Sequence, residues 1–147
     1  MFIFILLFFG FVLINFTAGP SRVVGGNDVL GSVVSGETAL RRYSGQRVWI
    51  TRLSPLLKQQ SKELETLVDV HDEACSISYS VCVFAARTSI DGIEVVFSAN
   101  KPAQLRADQI WYGGFVDPTS GAVFDRLGRA YLVNKTAPSG LELIHAE

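Results

Sequence analysis

The residues best suited to chemistry form one short run, His71, Asp72 and Glu73, with Cys75 two positions on. Imidazole, carboxylate and thiol are metal-ligand types. Neighbouring side chains in an extended or irregular segment point in different directions, however, and no second His/Cys pair stands at structural-zinc spacing. The run therefore reads as a solvated loop. Ser120 sits in a Thr-Ser-Gly context that is not a nucleophile elbow. His145 lies two residues from the C-terminal Glu147, where fraying defeats the fixed geometry a general base needs. A hydrolase is disfavoured on both counts. Gly113 and Gly114 open no helix, so they make no phosphate cradle; a tight turn or a close backbone approach suits them better. Asn15 and Asn134 begin formal glycosylation acceptors, one inside an apolar run and one in an expected strand, and both read as fortuitous.

These residues must be carried by a single small domain, because 147 residues bury one core and little more. With 13 Lys and Arg against 14 Asp and Glu, no large field of one sign recruits nucleic acid. Cys75 and Cys82 are the only cysteines. They allow at most one intrachain disulfide, and the sequence leaves open whether it forms.

The expected elements are mainly β. Thr38 to Tyr43 and Arg47 to Leu53 read as a hairpin about Ser44 and Gly45. Ser54 before Pro55 is an N-cap followed by a favoured first helical residue, and apolar spacing predicts one amphipathic helix over 55–68. Strands are then expected at Ile77–Phe84, Ile93–Ser98, Ile110–Val116, Ala122–Asp125, Ala130–Asn134 and Leu141–Ile144, separated by Gly, Pro and Asp turns. Short strands at this spacing imply a sandwich or barrel.

The N-terminus is different in kind. Phe2 to Phe16 is apolar and uncharged, and Thr17, Ala18 and Gly19 extend it towards the roughly 20 residues a membrane helix needs. The layout predicted is a transmembrane anchor over 1–19 with residues 2–19 in lipid, a flexible Gly/Ser-rich neck over 20–36, and a β domain over 37–147. A cleaved signal peptide is the rival reading; the missing basic region and the length of the apolar run stand against it. Arg22, Arg41, Arg42 and Arg47 all follow the segment, which by the positive-inside tendency favours a cytoplasmic domain.

From Gly113 to Leu143 the chain resembles the second cluster-binding box of the Rieske iron–sulfur subunit of cytochrome bc1 complexes. Gly113, Gly114, Phe115, Pro118, Gly121, Asp125, Gly128, Arg129, Ala137, Pro138 and Leu141 stand at the family's positions without a gap. Gly45 to Pro55 is similar to the family's strand leading into a short helix, and Cys82 to Arg87 to its first cluster box. The resemblance implies a Rieske-like antiparallel β sandwich or barrel with one short helix behind a membrane helix.

The cluster's ligands are what the chain lacks. A two-iron, two-sulfur Rieske cluster needs two thiolates and two imidazoles. The family's ligand positions hold Cys82, Phe84, Asp117 and Ser120, and its disulfide positions hold Arg87 and Thr119. Ala122 and Phe124 replace the hydroxyls that tune the cluster. Without a cluster such donors would be buried unpaired, at about 1–3 kcal/mol each. The resemblance thus implies a member with no cofactor, no metal and no catalytic residue. Its expected partners are cytochrome b and cytochrome c1-like subunits, with the domain on the intermembrane or periplasmic side of a mitochondrial or bacterial inner membrane and held in a fixed position. Arg87 and Asp117 are expected either to pair across the two loops or to stand as separate solvated charges. Two other functions remain open: an electron-transfer subunit with an atypical centre drawn from Cys75, Cys82, Asp117 and His71, and a free-standing membrane-anchored binding module presenting Phe84, Phe115 and loop 117–121.

Overall fold

A computed structural model describes residues 26–70, 75–88, 91–132 and 139–147. The expected anchor, His71 to Glu73, and Asn134, Ala137 and Pro138 lie outside the described residues. No helix among the described residues is long and apolar enough to cross a membrane.

The chain runs α1 (Gly26–Gly31), β1 (Thr38–Tyr43), β2 (Gln46–Arg52), α2 (Pro55–Glu63), β3 (Val81–Ala85), β4 (Val96–Ser98), β5 (Gly114–Val116), β6 (Val123–Asp125) and β7 (Leu143–Ala146). It is mainly β, with two antiparallel sheets in the orders β1-β2-β3-β7 and β4-β5-β6. The hairpin falls where the sequence placed it. Ser44 and Gly45 both take positive φ, 48° and 83°, as a two-residue primed turn requires, and Tyr43 pairs with Gln46 beside it.

Alternation along the central strand distributes the core. Val81 and Val83 face one cluster while Cys82 and Phe84 face another, because successive strand side chains point to opposite faces. The second of these clusters lies between the two sheets, where Phe84, Phe115, Phe124, Val95 and Leu127 meet. The first is closed by the N-terminal segment: Val29, Leu30 and Val33 pack on Ala39, Val48, Ile50, Val81 and Val83. Arg52 holds that segment down through Nε to the Val33 carbonyl at 2.7 Å and Nη2 to the Leu30 carbonyl at 2.8 Å. Arg126 donates to the Gly36 carbonyl and to Thr38 Oγ1. The described part of the expected neck, residues 26–36, is therefore a short second helix and a covering turn that belong to the core.

Most elements are shorter than expected, for identifiable reasons. Ser54 caps α2, its hydroxyl accepting the Leu57 N–H at 3.1 Å, but the helix stops at Glu63 instead of Val68. Beyond it the Leu67 carbonyl accepts the Leu132 N–H, and the Asp69 N–H donates to the Ala130 carbonyl. Pairing with a distant segment takes the backbone groups that further helix would use. Similarly, β3 begins at Val81 rather than Ile77 because Ser76 organises a local turn, accepting from the N–H and hydroxyl of Ser78. Strand β4 keeps only the end of Ile93–Ser98 and β5 only the end of Ile110–Val116; Ala130 and Tyr131 make single bridges, and β7 lies two residues later than expected.

Candidate functional site

The two loops that the resemblance marks do meet, but not as ligand-bearing tips. Loop 117–122 joins β5 to β6, and residues 86–88 and 91–95 lie between β3 and β4. Their contact is Thr88, whose hydroxyl donates to Asp91 Oδ1 and lies 3.5 Å from Asp117 Oδ2. Asp91 also accepts the Ile93 N–H at 2.9 Å. Neither Thr88 nor Asp91 is among the residues the sequence singles out, because their role depends on two loops distant along the chain coming together.

Asp117 is shielded by its own loop, which lies close to the surface. Its Oδ1 accepts the N–H of Thr119 at 2.8 Å and of Ser120 at 3.1 Å. Burial pushes its carboxyl up, but the Thr119 N–H and the side chain and N–H of Ser120 outweigh that and hold it below the usual carboxylate range. A depressed value in the folded state means stability present above the unfolded value and lost as pH falls through the folded one. The stability advantage of the wild type over Asp117→Asn is therefore expected to stay level above about pH 5 and to shrink below about pH 4. Urea unfolding across that range checks it; an advantage unchanged at the acid end would contradict the assignment.

Of the two arrangements expected for Arg87 and Asp117, the ion pair is absent and the two groups stand apart: Asp117 is satisfied by backbone N–H groups, while Arg87 is exposed and its backbone bridges Glu94. Ser120 turns its hydroxyl to the Ala122 N–H at 3.2 Å, and Thr119 is exposed. Ala122 is half-buried at the entry to β6, and Phe124 is fully buried between the sheets.

Of the residues matched to the first box, Cys82 to Ala85 lie inside β3. Cys82 and Phe84 are both 0% exposed. The Phe84 ring stands edge-on to Phe115 at 6.2 Å and presses on Gly128, where a Cβ would come within 2.7 Å of it. Phe115 is likewise 0% exposed. A binding tip built on these two rings is thus excluded, since neither reaches the surface.

Cys82 forms a disulfide with Cys75, Cα to Cα 6.1 Å. Both sulfurs are consumed, which removes the thiolates from the atypical centre considered above. Among the described residues no three His, Cys, Asp or Glu side chains gather as a metal site. The bond pins the segment entering β3 to the core. Chain entropy for so short a loop gives about 2 kcal/mol, so Cys75→Ala/Cys82→Ala is expected to lose about that much unfolding free energy and to unfold at a urea midpoint lower by about 1–2 M. A native-like midpoint would show the bond to be incidental.

At the turn after β6 lies a buried ion pair. Arg129 contacts Asp125 Oδ2 through Nε at 2.7 Å and Nη2 at 2.6 Å, with the side chains 4% and 1% exposed. Asp125 Oδ1 accepts the Leu127 and Arg129 N–H, each at 2.9 Å, and Arg129 Nη2 reaches the Ser61 carbonyl of α2 at 2.7 Å. Burial pushes the Asp125 carboxyl up, opposed by the guanidinium and the two N–H groups. No buried side-chain N or O among the described residues lacks a hydrogen-bond partner.

No protein-family model matches the chain, and neither does any curated protein.

Proposed function

We propose that the chain is a Rieske-like subunit of a respiratory membrane complex, of the cytochrome bc1 (ubiquinol–cytochrome c reductase) type, that has lost its iron–sulfur cluster and serves as a structural or accessory subunit. The observation carrying this reading is the state of the four ligand positions: a half-cystine, a core phenyl ring, a carboxylate bound to backbone N–H groups and a loop hydroxyl. All four are occupied by chemistry that holds a polypeptide together. The Rieske-like antiparallel β sandwich belongs to the same reading, supported by the work the matched residues do. Gly114 lets β5 approach β6 so closely that a Cβ would overlap the Phe124 carbonyl oxygen, and Asp125 with Arg129 fixes the turn after β6.

The anchor over residues 2–19 and the cytochrome b and c1-like partners are part of the proposal. The disulfide supports a domain on the intermembrane or periplasmic side, where such bonds persist, against the arginine bias of the sequence. The test is gentle solubilisation of the native membrane, followed by capture of the full-length chain. Cytochrome b and c1 are expected to copurify with it, and the isolated chain to give neither stoichiometric iron nor a low-temperature iron–sulfur EPR signal. A stoichiometric signal, or recovery of the chain alone, would sink the reading.

A further inference from the structure

We propose that residues 26–33 form a strap over the larger sheet, one that opens as a unit while the sheet beneath it stays folded. Side chains alone fasten it. Among the described residues its main-chain hydrogen bonds are local, from the Ser32 N–H to the Val29 carbonyl and from the Val33 N–H to the Leu30 carbonyl. The β1–β2 pairing starts beyond it, at Thr38 opposite Thr51, and is continued only by the Gly36 N–H to the Arg52 carbonyl and the Arg52 N–H to the Glu37 carbonyl. Opening the strap therefore breaks no rung of the sheet. Its apolar grip is Val29, Leu30 and Val33, a small burial to set against the ordering of eight residues, and a six-residue helix does not hold itself together. The balance falls to Arg52, which donates to the Val33 carbonyl at 2.7 Å and the Leu30 carbonyl at 2.8 Å, with a longer contact of 3.4 Å from Arg41 Nε to Ser32 Oγ. No carboxylate pairs with Arg52 among the described residues, so the clasp works through carbonyls. Gly36, at φ 84°, turns the chain where the strap leaves the sheet, in a conformation that glycine alone adopts freely, and serves as the pivot. The closed form is the ground state. Opening bares Ala39, Val48, Ile50, Val81 and Val83, an apolar face drawn from three adjacent strands, four of these side chains being 0% exposed under the strap.

The test is native-state hydrogen exchange of the full-length chain in detergent, at urea concentrations below unfolding, comparing the Ser32 and Val33 amides with those of Val81–Ala85. The strap amides are expected to exchange faster than those of β3, with a urea dependence above zero and below that of β3, because opening exposes one apolar face and not the whole core. Arg52→Gln is expected to speed the strap amides about tenfold, through the loss of charge-assisted hydrogen bonds. Val95→Ala thins the separate cluster between the two sheets and so destabilises the open and closed forms alike. It is expected to speed the β3 amides and to leave the strap rates unchanged. Strap amides that accelerate with β3 in Val95→Ala, or that share its urea dependence, would make residues 26–33 an inseparable part of the core and overturn the proposal. A urea dependence of zero would reduce the motion to fraying, and Arg52→Gln rates equal to wild type would remove the clasp; either result overturns it as well.

Discussion

Arg129→Met is expected to destabilise the domain by about 3–5 kcal/mol, a large share of the 5–15 kcal/mol that holds a typical domain folded. The substitution keeps most of the side-chain volume and leaves the Asp125 carboxylate in a dry interior with no counter-charge. It also frees the Ser61 carbonyl, through which the pair reaches α2. The companion Asp125→Asn/Arg129→Met keeps an acceptor for the Leu127 and Arg129 N–H groups and buries no charge. It is expected to recover the larger part of the loss. Urea unfolding of both variants measures the difference. A cost below about 1 kcal/mol for the single variant would place the pair among weak surface interactions and contradict its burial.

The second large effect concerns installing the ligand set of the family that the chain resembles. Phe84→His, Asp117→Cys and Ser120→His together place the Rieske ligand types beside Cys82, yet the triple variant is expected to bind no iron–sulfur cluster and to be severely destabilised. Replacing the Phe84 ring empties space between the sheets, where loss of a phenyl costs up to about 3–5 kcal/mol. An imidazole in that place leaves a polar group unpaired, at about 1–3 kcal/mol more. Asp117→Cys gives up the acceptor that ties Thr119 and Ser120, and Cys82 remains bound to Cys75. Anaerobic reconstitution with iron and sulfide, read by visible absorption and EPR, decides it. A stoichiometric cluster would mean that β3 can rearrange into a ligand loop, which its register with β2 and β7 opposes.

What the sequence made legible follows the range of the forces involved. The hairpin about Ser44–Gly45 and the Ser54–Pro55 helix start rest on contacts within a few residues, and both stand where expected. The end of α2 depends on Leu132, far along the chain, and no local pattern carries that information. Residues 26–36 read as a tether because five of the eleven are Gly or Ser; three buried apolar side chains, Val29, Leu30 and Val33, are enough to seat them on the sheet. Within the site, Asp117, Thr119 and Ser120 share the loop between β5 and β6, whereas Cys82 and Phe84 fall inside β3. The run Val-Cys-Val-Phe-Ala is apolar throughout, as suits a strand covered on both faces.

The seating of residues 26–36 also bounds the domain's travel. If residues 2–19 are held in lipid, only residues 20–25 separate that segment from a helix already fixed to the sheet. Six residues drawn straight cover at most about 20 Å, so α1 can stray no farther than that from the bilayer surface. A complex containing this chain would find it standing guard at one post, on a leash too short for a courier.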